Sequence, residues 1–107
     1  MEDIKNIEKS IQYSGFREID SASMGIVKKT AEGHARKIKE HADKVELMKL
    51  TLKAVHKKEK SEIYEVHACV IDNGKKYASE TTSRNLLAAV DDALNKIIKE
   101  ITSRERK

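Results

Sequence analysis

Apolar residues recur along this chain at two periods, and each change of period marks the border of an element. Lys9 to Ser14 alternates, with Ile11 and Tyr13 on one side, which predicts a short first strand that Gly15 ends. From Ser21 the steps become three and four. Met24, Val27, Ala31, Ala35, Ile38 and Ala42 describe one face of a helix. Ser21 or Ser23 is placed to cap it, and Gly25 and Gly33 each weaken it by about 1 kcal/mol relative to alanine. Between Val45 and Lys57 the period is two again: Met48, Leu50, Leu52 and Ala54 point one way, and Lys49, Thr51, Lys53, Val55 and Lys57 the other. Lys58-Glu59-Lys60-Ser61 turns the chain into a third strand, Ile63 to Ile71, which buries Tyr64, Val66, Ala68 and Val70.

Asp72-Asn73-Gly74-Lys75 is a hairpin signal, because asparagine and glycine both tolerate positive φ at the two centre positions of a tight turn. Counting outward from it sets Val70 opposite Tyr77, Ala68 opposite Ser79 and His67 opposite Glu80. The fourth strand then turns Tyr77, Ser79 and Thr81 inward. Ser83 is placed to cap a last helix whose apolar stripe is Leu86, Leu87, Val90, Ala93, Leu94, Ile97, Ile98 and Ile101. The order is β-α-β-β-β-α. Two helices with one apolar face each, and a sheet with one apolar face, bury those faces together when both helices lie on the same side. The first strand–helix–strand unit is expected to be a right-handed crossover. The predicted fold class is thus α+β: a two-layer sandwich with a four-stranded sheet, both helices on one face and the other face in water. One domain is expected over residues 1–107, with 1–8 a loose lead-in and 105–107 a tail. A chain of 107 residues buries roughly 65% of its unfolded surface.

Composition narrows the classes. Charged residues make up 37% of the chain and apolar ones 38%, so an ionic surface surrounds a sufficient core. Twenty-two Lys and Arg against eighteen Asp and Glu leave a net charge of +4, which suits a polyanionic partner and also an ordinary solvated surface. A single cysteine, Cys69, excludes an intrachain disulfide and a cysteine cage for a metal, and points to a reducing, cytoplasmic setting. The chain has no apolar run near the ~18 residues of a membrane span, and its acidic start, Met1-Glu2-Asp3, is unlike a signal peptide. No membrane association is expected.

The residues that carry chemistry are basic. Lys96 and Lys99 lie on the solvent side of the last helix, and Arg104 follows them; a surface pair of Lys96 with Asp92 is the plainer alternative. In the first helix Lys28, Lys29, Arg36, Lys37 and Lys39 form a basic flank, interrupted by Glu32 and Glu40. Lys49, Lys53 and Lys57 project from one face of the second strand, where lysines also deter edge-to-edge aggregation. Enzyme signatures are missing. His34 and His41 are two turns apart, and His56 and His67 fall on opposite sheet faces, so no metal site is expected. Cys69 has no histidine beside it in register to activate it. Asp91 and Asp92 diverge by about 100° on a helix and cannot share a substrate. The glycines build no phosphate loop. The chain is expected to be non-enzymatic, with no cofactor. Tyr13, Tyr64 and Tyr77 fall on core faces, which leaves no platform for stacking bases.

The stretch Asn85-Leu86-Leu87-Ala88-Ala89-Val90-Asp91, then Asn95-Lys96-Ile97 and Lys99-Glu100-Ile101, resembles the last helix of the ribosome hibernation-promoting factor family in its short form. This is the family of the ribosome-associated inhibitor, or subunit-interface protein, whose helix reads D-M-Y-A-A-I-D-x-x-x-D-K-L-x-R-Q-L. Gly15 and Glu18-Ile19-Asp20 resemble the family's glycine and loop before the first helix, while Ser83-Arg84 stands where the family has acids. The resemblance implies binding to the small ribosomal subunit through ribosomal RNA, in the channel of messenger and transfer RNA, with idle ribosomes inhibited or preserved. Lys96 and Lys99 match the family's basic positions. A monomer is expected. Two alternatives stand beside this reading. One is a double-stranded RNA-binding domain, whose α-β-β-β-α order fits residues 21–104 but whose last helix opens on several lysines where this chain has only Arg84. The other is a protein-interaction or dimerisation module using Val55, Cys69 and Ile71 on the open sheet face.

Overall fold

The computed structural model describes residues 11–58 and 61–105, without the side chains of 54–58, 61, 104 and 105. The lead-in at 1–8, the strand start at 9–10, the turn at 59–60 and the tail at 106–107 lie outside the described residues, as do the side chains of Ala54, Val55, His56, Lys57 and Arg104. The elements follow the predicted order: β1 (Ile11–Ser14), α1 (Ser21–His41), β2 (Val45–Lys58), β3 (Ser61–Asp72), β4 (Lys75–Ser83) and α2 (Leu86–Glu105). The strands form one sheet in the order β1-β2-β3-β4. β1 runs parallel to β2, and the remaining pairs are antiparallel.

One core joins the helices to a single sheet face. Val27, Ala31, Ala35 and Ile38 of α1 and Val90, Ala93, Leu94, Ile97 and Ile101 of α2 cluster with Met48, Leu50, Val66, Ala68, Val70 and Tyr77. The residues of opposite parity, Lys49, Thr51, His67, Cys69 and Ile71, stay partly exposed, and Lys76, Ala78 and Glu80 are exposed. Both helices therefore cover the same face, as one apolar face per element requires. α1 runs unbroken through both of its glycines for 21 residues.

The Asn73-Gly74 turn has φ of 50° and 86°. Val70 faces Tyr77, Ala68 faces Ser79 and His67 faces Glu80, the register counted from the turn. Gly15 has φ of +84°, and a Cβ there would collide with the Leu52 carbonyl oxygen. Only glycine lets the chain leave β1 so close to the β2 backbone.

Four expectations need correction. The cap of α1 is Asp20 rather than Ser21 or Ser23, its carboxylate accepting from the Ser23 N–H at 3.0 Å. The cap of α2 is Asn85, which accepts from the Ala88 N–H at 2.9 Å; Ser83 Oγ accepts from the Asn85 N–H at 3.1 Å and braces it. On α2, Leu87 is 37% exposed while Ala89 is fully buried, so the apolar stripe is rotated toward the alanine. Finally, β2 is bulged between Leu52 and Ala54, leaving Lys53 as the extra residue. A bulge inverts the alternation beyond it. Position 54 pairs with Glu65, 55 with Tyr64 and 57 with Glu62, so Ala54 does not continue the inward row and Lys49, Lys53 and Lys57 do not form a single-face stripe.

Candidate nucleic-acid interface

α2 is held against β4 by two strand hydroxyls. Ser79 Oγ donates to the Ala93 carbonyl oxygen at 2.6 Å, and Thr81 Oγ1 to that of Ala89 at 2.7 Å. Strand residues two apart thereby meet helix carbonyls one turn apart, which sets both the rotation and the height of α2 on the sheet. Lys96 is turned to the β4 side as a result, and its Nζ donates to the Glu80 carbonyl oxygen at 3.0 Å. The Asp92 partner weighed from sequence is replaced by an edge-strand carbonyl.

Lys96 and Lys99 border a groove of about 570 Å³ between α2 and β4, whose other walls include Glu80, Thr81, Asp92 and Asn95. Lys99 also borders a neighbouring hollow of about 480 Å³ with Lys75, Lys76 and Tyr77. Lys76 in turn borders a third hollow, of about 370 Å³, on the open sheet face with Lys49, His67 and Cys69. A strip of five lysines thus passes from the sheet face round the β4 edge to α2: Lys49, Lys76, Lys75, Lys99 and Lys96. Lys75 lies over the Tyr77 ring, 5.2 Å from its centroid. Lys75 and Lys76 escape a reading by periodicity because they sit where the hairpin turn ends. Counting the register two steps out from Asn73-Gly74 places Lys76 beside Ile71 on the open face.

The basic residues of α1 lie elsewhere. Lys28 stands over the Tyr13 ring of β1 at 5.9 Å, and β1 and β4 are opposite edges of the sheet. Lys29, Arg36 and Lys37 are exposed on α1. The structure therefore sets Lys28 apart from Lys96 and Lys99. Lys53 is exposed at the bulge. Lys57 and Arg104 are placed by backbone only.

Acids limit the potential of these surfaces. Glu65 Oε2 lies 2.7 Å from His67 Nε2, and Glu65, His67 and Glu80 bring ligand atoms within 4.8 Å of one another on the open face. Two carboxylates around one imidazole lower the positive character there, and Glu80, on β4, also lines the Lys96 groove. The histidine pairs expected from sequence miss this group, although the counted pairing of His67 with Glu80 contains two of its three members. Asp91 and Asp92 diverge as expected. Asp91 Oδ1 lies 2.6 Å from His34 Nε2 and ties α2 to α1, and its Oδ2 accepts from Asn95 Nδ2 at 3.2 Å. Asp92 faces the Lys96 groove. At the other end of the sheet, the Tyr64 hydroxyl donates to Glu62 Oε1 at 2.7 Å. That bond holds the phenol above its ordinary pKa of 10.0.

No protein-family profile matches the sequence, and no curated protein does. Solved structures do. A ribosomal subunit interface protein from Coxiella burnetii superposes with a TM-score of 0.61 at 17% identity, over 91% of this chain and 98% of its own. The N-terminal domain of Thermus thermophilus Protein Y superposes with a TM-score of 0.53 at 19% identity, over 87% of this chain and 93% of its own. The chain has their fold. The likeness runs nearly end to end in both directions. No helix among the described residues is long and apolar enough to cross a membrane.

Proposed function

We propose that this chain is a non-enzymatic, single-domain ribosome-binding protein of the hibernation-promoting type. It contacts ribosomal RNA of the small subunit in the cytoplasm, and inhibits or preserves idle ribosomes. One observation carries the reading: a fold shared over almost its whole length with a ribosomal subunit interface protein presents Lys75, Lys76, Lys96 and Lys99 around the β4 edge, with Glu80, Asp92 and Glu100 among them and Lys49 on the adjoining sheet face. Lysines on rigid elements bind closely spaced phosphates by displacing condensed counterions. The half-buried or buried aromatic rings Tyr13, Phe16, Tyr64 and Tyr77 favour contact with backbone phosphates over stacking on bases.

Co-sedimentation with purified small ribosomal subunits across a salt series tests the proposal. Four phosphate contacts imply about a hundredfold loss of affinity for a fourfold rise in salt. The Lys96→Glu/Lys99→Glu variant is expected to pellet less at every salt concentration and to show a shallower salt slope. A wild-type chain that stays in the supernatant at low salt overturns the reading. Tight, length-dependent binding to a plain RNA duplex, without subunit binding, would replace it with the double-stranded RNA-binding alternative.

A further inference from the structure

The open sheet face carries one group of side chains that the ribosome-binding reading leaves without a role. Glu65 and His67 stand two apart on β3, so both project from the same face. The cross-strand partner of His67 is Glu80 of β4, which brings a second carboxylate diagonal to the first. One ligand atom from each of the three lies within 4.8 Å of the other two. β3 is paired on both sides, with β2 and with β4, so the backbone beneath the group is held in register.

Left to themselves these groups are poorly matched. Two carboxylates share one imidazole, whose Nε2 lies 2.7 Å from Glu65 Oε2. With the ring neutral the group carries two negative charges, and like charges this close repel. Lys49 and Lys76 border a hollow with His67 and Glu80, yet among the described residues neither lysine forms an ion pair with Glu80. A divalent cation removes the mismatch. It balances both carboxylates and takes the lone pair of one ring nitrogen, while the ring proton rests on the other. A metal with ligands at about 2.0–2.2 Å holds them roughly 3–4 Å apart, a spacing that small side-chain rotations reach from this arrangement. The donor set selects among cations. One imidazole nitrogen with two carboxylate oxygens suits zinc and its first-row neighbours, whereas calcium and magnesium prefer oxygen alone.

We propose that Glu65, His67 and Glu80 form a binding site for a first-row divalent transition-metal cation, with zinc the best fit. The His67 and Glu65 side chains are 31% and 30% exposed, so water completes the coordination. Cys69, the next residue of the same row, stands outside the converging group. The site does not depend on the ribosome-binding reading. Its occupancy cancels two negative charges on the face that carries Lys49 and Lys76.

Equilibrium dialysis of the full chain against Zn2+ measures the binding, and NMR with substoichiometric Mn2+ locates it. Wild type is expected to bind one equivalent, and the amide signals of Glu65, His67 and Glu80 to broaden first. Glu65→Gln, His67→Ala and Glu80→Gln are each expected to bind at least about tenfold more weakly, and Cys69→Ser to bind as wild type does. Circular dichroism melting checks that every variant is folded. No Zn2+ retained at millimolar concentration overturns the site. So does an equivalent held equally well by wild type and the three ligand variants, broadening centred on other residues, or binding lost in Cys69→Ser.

Discussion

Asp72 Oδ1 accepts the main-chain N–H of Lys44 at 2.7 Å, although 28 residues separate them. The same oxygen accepts the Asp43 N–H at 3.0 Å, and the Asn73 N–H donates back to the Lys44 carbonyl at 2.7 Å. One carboxylate, 1% exposed, thereby fastens the loop after α1 to the β3–β4 hairpin. Asp72→Ala would leave two N–H donors without that acceptor. A destabilisation of about 3 kcal/mol is expected in urea unfolding, with Asp72→Asn losing less. Equal stability of Asp72→Ala and wild type would mean that the loop finds other partners.

The caps separate in the same way. Asn85 accepts an N–H of the first turn of α2, whereas Ser83 only braces Asn85. Asn85→Ala is expected to cost about 1 kcal/mol and Ser83→Ala clearly less, measured by thermal melting of the single variants. The reverse order would restore Ser83 as the cap.

Asp20 lends α1 a pH dependence. The N–H of Ser23 stabilises the Asp20 carboxylate, so its pKa lies below the ordinary 3.8. A group lowered on folding adds stability that is complete above its ordinary pKa and is lost as pH falls through the folded-state value. Asp20→Asn keeps a good cap without the titration. The stability difference between wild type and Asp20→Asn should be constant near neutrality and shift against wild type below pH 3.8. Parallel acid-unfolding curves for the two proteins would remove Asp20 from the account.

Two glycines should respond with opposite signs. Gly15→Ala places a Cβ against the Leu52 carbonyl at positive φ and is expected to cost at least about 2 kcal/mol. Gly33 meets nothing within 4 Å, so Gly33→Ala is expected to stabilise α1 by about 0.5–1 kcal/mol. Chemical denaturation of both variants checks the pair.

The strip at the β4 edge predicts a role for two lysines beside the hairpin turn. Lys75→Glu/Lys76→Glu is expected to weaken small-subunit binding about as much as Lys96→Glu/Lys99→Glu, and to reduce the salt slope by about two. Subunit binding that survives unchanged would confine any contact to the Lys96 side of the groove.

The hydrophobic pattern alone was enough for the order of elements, the side of the sheet that both helices cover, and the β3–β4 register. Each of these follows from short-range rules: a period of two or 3.6, one apolar face per element, and the positive φ of Asn73 and Gly74. It also placed Lys96 and Lys99 on the solvent side of α2, since solvent-side positions are readable from the apolar stripe opposite them. Tertiary contacts decided the rest. The bulge at Lys53 leaves no trace in the local alternation, because it exists only relative to the partner strand β3, and it dissolves the stripe of Lys49, Lys53 and Lys57. The exchange of Leu87 for Ala89 in the core depends on the close seat of α2, set by Ser79 and Thr81. Asp20, Ser21 and Ser23 are comparable capping acceptors in sequence, and only the path of the chain out of β1 chooses among them. The gathering of Lys49, Lys75 and Lys76 with the α2 lysines required knowing which strand forms the edge beside that helix. Local periodicity assigns residues to faces; which faces meet is settled by packing between elements far apart in the chain.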